Sequence, residues 1–175
     1  TKEPIKDLVK KYAEECGMPY VCGRWLGGTL TNFHEVQALI RRYLDLKQQQ
    51  KSGQLEKYTK KEQAGFAKAI ADMESKVGGI SALTRPPDAI FVIDMRKEKT
   101  AVQEALVRHI PMVALVDTNV NPDLATYVIP SNDDAVKTIE LMTRLVSEAA
   151  KDGKALREEQ RRTAEAQKAA AEKVA

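Results

Sequence analysis

Three short apolar runs, Ala89 to Ile93, Met112 to Val116 and Tyr127 to Ile129, alternate with segments of helical length, and no other feature narrows the fold so far. The runs are rich in β-branched residues and bounded by Pro or Asp, which is how strands buried on both faces read. Lys99 to Arg108 carries Val102, Ala105 and Leu106 along one helical face, and Asp134 to Ala150 carries Val136, Ile139, Leu141, Met142, Leu145 and Val146. Strand and helix in turn predict an α/β fold with a parallel sheet and right-handed crossovers. Tyr20-Val21-Cys22 is a further, shorter strand candidate.

Residues 29–77 break this rhythm. They hold no strand-like run, yet Phe33, Val36, Ile40 and Tyr43 step by three and four residues, as do Phe66, Ile70, Met73 and Val77. This spacing predicts two long amphipathic helices, Thr29 to Ser52 and Thr59 to Val77, packed through those eight side chains. Ser52-Gly53 ends the first, and Thr59 with Glu62 has the spacing of a capping box for the second. So short a connection makes the helices antiparallel, a coiled-coil hairpin projecting from the α/β body.

The net charge of +3 is small, but its distribution is uneven. Residues 78–150 hold 7 Lys and Arg against 10 Asp and Glu, residues 1–77 hold 14 against 10, and residues 151–175 hold 7 against 5. The positive excess therefore lies outside the expected sheet region. Residues 151–175 combine charge with Gln and Ala and have almost no large apolar side chain, so they form a charged helical or disordered tail with no face to bury. Cys16 and Cys22 are too few for a disulfide scaffold, which makes a reduced cytoplasmic setting the default. They also lack the neighbouring ligands of a zinc site, since His34 and His109 belong to unrelated segments.

One stretch is specific: Arg24-Trp25-Leu26-Gly27-Gly28-Thr29-Leu30-Thr31-Asn32. Further blocks follow in order: Gly78-Gly79-Ile80, Pro87 to Asp94, Ile110 to Asn119, and Tyr127 to Ala135. In sequence and spacing they resemble the second-protein family of the bacterial small ribosomal subunit. The pattern departs after Asp94, where relatives often have a His-Glu pair and this chain has Arg96-Lys97-Glu98. The resemblance implies a flavodoxin-like or Rossmann-like parallel sheet, residues 1–28 and 78–150, with the antiparallel coiled-coil hairpin inserted as residues 29–77. It also implies an N-terminal portion ahead of Thr1, with Thr1-Lys2 the remnant of a strand-ending turn. The function implied is structural and non-enzymatic: binding small-subunit ribosomal RNA and neighbouring ribosomal proteins, including the first protein of that subunit, on cytoplasmic ribosomes. No cofactor, metal, membrane or small-molecule substrate is implied.

Candidate RNA contacts follow from that resemblance. Arg24 has two open roles, an RNA phosphate or an adjacent carboxylate, while Trp25 reads as a core anchor. Gly27 and Gly28 lack dinucleotide-loop spacing and read as permitting φ > 0 or close packing. Arg41, Arg42, Lys47, Lys51, Lys57, Lys60 and Lys61 line the outside and tip of the expected hairpin. Among these, Arg24, Arg41, Arg42, Lys60 and Lys61 are the candidate RNA-binding residues, because Lys and Arg displace counterions from phosphates. Asp94, Asp117, Asp133 and Asp134 end or follow strands, where open α/β sheets gather ligands. They leave an alternative open: a fragment of a phosphate- or metabolite-binding α/β enzyme. Without a phosphate loop or a nucleophile-base pair, Asp117 with Asn119 reads as a turn and Asn132 or Asp133 as a helix cap. His109 reads as the polar end of a helix.

Overall fold

The computed structural model describes residues 3–172. Thr1-Lys2 and the last residues of the tail, 173–175, lie outside the described residues. The elements are α1 (Glu3–Cys16), α2 (Phe33–Lys51), α3 (Lys60–Val77), β1 (Ile90–Val92), α4 (Lys99–Val107), β2 (Met112–Val116), β3 (Tyr127–Pro130) and α5 (Val136–Glu172). The strands form a parallel sheet in the order β1-β2-β3. Phe91 stands opposite Val113, and Leu115 opposite Ile129.

Side chains alternate across a strand, so β1 and β2 serve both faces of the sheet, whereas β3, an edge strand, is not buried on both faces as its sequence leads one to expect: Tyr127 is 63% and Val128 40% exposed. Val92, Met112, Ala114 and Val116 pack with Val102 of α4 and with Met95. On the other face Leu115 meets Ile5 of α1 and Ile139 of α5, with Phe91, Ile93, Ile129 and Met142 around them. Leu115 and Ile139 are both fully buried, each contributing about 2–3 kcal/mol. The helices α1 and α5 lie side by side on this face, and the Ser147 hydroxyl donates to the Tyr12 carbonyl at 3.0 Å.

That contact changes the inward stripe of α5. Thr143 and Ser147 are buried, whereas Leu141 and Leu145 are 43% and 47% exposed. Small side chains let α1 approach closely, and the expected apolar face turns partly outward. In α4 Leu106 is likewise exposed, and Glu104 occupies a buried position beside Val102 and Ala105.

The helices α2 and α3 share a cluster of Val36, Ile40, Tyr43, Leu55, Ile70, Met73, Val77 and Ile80, with Phe66 packed against it. Phe33 is half-buried and outside this cluster, because it is the first residue of α2. Helix α2 begins there rather than at Thr29, since residues 27–32 are turns. The chain leaves α2 through Gly53, whose φ of 73° is left-handed, and Leu55 tucks under the pair. The capping box forms as spaced: the Thr59 N–H donates to Glu62 at 2.9 Å and the Glu62 N–H to the Thr59 hydroxyl at 3.4 Å. Tyr20-Val21-Cys22 is not a strand; its Tyr20 N–H instead donates to the Gly79 carbonyl at 3.0 Å. A Cβ on Gly79 would collide with the Tyr20 carbonyl oxygen, so only glycine permits this approach.

Candidate nucleic-acid interface

The segment from Trp25 to Thr31 wraps one carboxylate. Glu104, 7% exposed on α4, accepts from the Gly28 N–H at 2.7 Å, the Leu30 N–H at 2.8 Å and the Thr31 N–H at 3.2 Å. The Trp25 indole N–H donates to it at 3.3 Å and the Thr31 hydroxyl at 3.4 Å. Gly28 makes the wrap possible, because its φ of 92° lets the Gly28, Leu30 and Thr31 N–H groups converge on one anion, while that of Thr29 turns to the Leu26 carbonyl, and a side chain at Gly28 would be strained. Burial pushes the Glu104 carboxyl up, but the Leu30, Gly28 and Thr31 N–H groups and the indole outweigh it, so its pKa lies below the ordinary 4.5.

Gly28 thus serves an internal anion, while Gly27 has neither a positive φ nor a close contact. Nothing in the sequence singles out Glu104. An acidic residue inside an amphipathic helix carries no mark of burial, and its partners lie more than 70 residues away.

This wrap positions Arg24. A Cβ on Gly23 would stand 2.8 Å from the Ser75 carbonyl oxygen, so the turn is seated against α3 on one side and fastened to α4 on the other. Between the two, Arg24 is exposed. Arg41 and Arg42 project from the middle of α2, and Lys60 and Lys61 open α3; all four are exposed. Among the described residues none of the five makes an ion pair or a side-chain hydrogen bond. The open carboxylate role for Arg24 therefore has no partner there.

Other cations of the pair have partners. Lys47 donates to the Tyr43 hydroxyl at 2.6 Å and to Glu74 at 2.8 Å, contacts that raise its pKa and lower that of Glu74. Lys57 lies 5.3 Å from the Tyr58 ring centre. Arg41 and Arg42 flank a groove between α2 and α3, and Lys60 and Lys61 stand at its end nearest the connection. Arg24 belongs to the junction with the sheet.

The strand-end aspartates act as turns and caps. Asp94 accepts the Lys97 N–H at 2.9 Å and pairs with the Lys97 ammonium at 2.7 Å. Asp117 accepts the Thr118 N–H at 2.7 Å and the Asp133 N–H at 3.4 Å. Asn132 accepts from the Asp134 and Ala135 N–H groups ahead of α5. Burial, followed by the charges of Asp94, Asp117 and Asp134, raises the pKa of Asp133. Among the described residues no group of three His, Cys, Asp or Glu side chains is placed to hold a metal ion, and no helix is long and apolar enough to cross a membrane. His109 sits just past α4 in the left-handed region, φ 53°, where its neighbour's N–H closes the helix end on the Ala105 carbonyl.

Residues 1–153 match the family model described as Ribosomal protein S2. The chain is 45% identical over 159 residues to the small ribosomal subunit protein uS2 of Campylobacter jejuni (strain 81-176), covering 91% of this chain and 60% of that protein. It is 42% identical over 160 residues to the uS2 protein of Chlorobium phaeovibrioides, covering 91% and 62% of the two chains. To that of Amoebophilus asiaticus it is 46% identical over 167 residues, covering 95% and 53%. The chain thus spans between half and two thirds of the length of these relatives.

Proposed function

Because the chain belongs to the ribosomal protein S2 family, we propose that it serves as a structural, non-catalytic constituent of the small ribosomal subunit in the cytoplasm. In this role it binds small-subunit ribosomal RNA and supports neighbouring ribosomal proteins, the first protein of the subunit among them. One observation supports the RNA contact above the rest: five exposed cations have no partner among the described residues, Arg24 on the Glu104 wrap and the others on α2 and α3. Partnerless guanidinium and ammonium groups are suited to phosphates, and backbone contact fixes position without reading sequence. Residues 1–28 and 78–150 then serve as the flavodoxin-like or Rossmann-like body, and residues 29–77 as an antiparallel coiled-coil hairpin presenting Arg41, Arg42, Lys60 and Lys61. Residues 151–175 are its charged tail.

The test is incorporation into small subunits across a salt series. Changing Arg24, Arg41, Arg42, Lys60 and Lys61 to Glu should weaken incorporation and flatten its salt dependence, by a log-log slope of roughly 0.7–0.9 for each phosphate deprived of its cation. Changing Asp94, Asp117 and Asp133 to Asn should leave assembly largely intact. Normal assembly of the charge-reversed chain would remove the RNA contact. The alternative of a phosphate- or metabolite-binding enzyme fragment requires the reverse pattern.

A further inference from the structure

We propose that the groove between α2 and α3 receives one unstacked nucleobase of single-stranded RNA, with its neighbouring phosphate held by Arg41 and Arg42. This rests on the reading that these helices meet RNA, and it names the part of the RNA they take.

The groove exists because its walls are small. Ala38 on α2 and Gly65 and Ala69 on α3 line it, and a Cβ built on Gly65 would meet no atom within 4 Å. An opening of about 720 Å³ results, within the range of clefts that take small planar ligands. Glycine weakens the middle of a helix, and no close packing at Gly65 compensates for that.

Phe66 supplies a stacking surface. Its ring is half-buried, packed against the shared apolar cluster and set 5.2 Å from the Tyr58 ring at 60°, while it also lines the groove. A ring held in this way loses little freedom when a base stacks on it. Arg41 and Arg42 stand at the same groove, exposed and without a protein partner, and each can grip a phosphate bidentately.

Two carboxylates, Asp45 and Glu62, also line the groove. Glu62 is fixed by its capping contacts with Thr59. A nucleobase presents amino hydrogens that a carboxylate accepts. Arg41 and Arg42 would attract any anion, but a nucleobase matches the Phe66 ring and the two carboxylates as well, and this favours RNA over an acidic protein segment.

The experiment titrates the whole chain with a single-stranded RNA oligonucleotide carrying 2-aminopurine, and with an RNA duplex. Binding of the single strand should change the 2-aminopurine emission. Gly65→Leu fills the groove without backbone strain. It should abolish that change and weaken single-strand binding roughly 5- to 150-fold, the range for removal of one base stack, without lowering the melting temperature. The doubly substituted R41A/R42A chain should bind more weakly and with a shallower salt slope. Phe66→Leu should abolish the emission change if the ring is the stacking surface.

Unaltered emission change and affinity in Gly65→Leu would overturn the groove assignment, as would release of the bound single strand by an acidic peptide. Duplex binding without single-strand binding would also overturn it, while leaving the RNA-binding function standing. Failure of the unsubstituted chain to bind either RNA would remove that function and the base site with it.

Discussion

Glu104→Gln tests whether the Trp25–Thr31 wrap depends on a charged acceptor. One carboxylate oxygen accepts from Trp25 and Gly28, the other from Leu30 and Thr31, so an amide in either orientation sets a donor against at least two donors. Hydrogen bonds to a charged group contribute roughly 1.5–3 kcal/mol each. Removing two, less the desolvation an amide avoids, should destabilise the chain by about 3 kcal/mol. That is a large fraction of the roughly 5–15 kcal/mol of a typical domain. In urea, at a slope of about 2 kcal/mol per molar, the midpoint should fall by about 1.5 M. Trp25 is the chain's single tryptophan, so its fluorescence reports on the wrap directly.

The pH dependence has a definite sign. The folded pKa of Glu104 lies below the ordinary 4.5, so its contribution is complete above the unfolded value and is lost as pH falls through the folded one. The stability difference between the unsubstituted and Gln chains should therefore be constant near neutrality and shrink below about pH 4.5. Other hydrogen-bonded carboxylates, such as Asp117, weaken both chains alike in acid and cancel in the difference. Equal urea midpoints, or a difference that does not change with acid, would refute the charged-acceptor argument.

Gly79→Ala should destabilise by about 2 kcal/mol in the same unfolding assay, because the methyl group meets the Tyr20 carbonyl, whereas Gly27→Ala should be near neutral, having no atom within 4 Å. Ile139→Ala should cost about 3 kcal/mol of cavity and transfer energy, while Leu145→Gln at an exposed site of the same helix should change stability by less than about 0.5 kcal/mol; similar destabilisation by both would show the inward stripe of α5 to be misplaced.

Period and punctuation alone determined the α/β class, the three strands and the existence of two helices between Phe33 and Val77. Alternating burial, helical spacing and the Thr59–Glu62 cap are all properties of neighbouring residues, so they can be read in one dimension. The end of α2 at Gly53 was legible for the same reason. The start of α2 was not, because the N–H groups of Gly28, Leu30 and Thr31 turn to Glu104, a residue over 70 positions away. The inward face of α5 was legible only in part: Ile139 and Met142 turn inward as expected, but Leu141 and Leu145 do not. Hydrophobicity marks which side chains favour burial, but the docking of α1 decides which ones lie inward: Thr143 and Ser147 are buried while Leu141 and Leu145 are exposed. The five candidate cations could be named from charge and position once the family resemblance pointed to RNA. Only tertiary structure shows that they have no partners among the described residues while Lys47 does, because pairing depends on which side chain stands opposite across the fold.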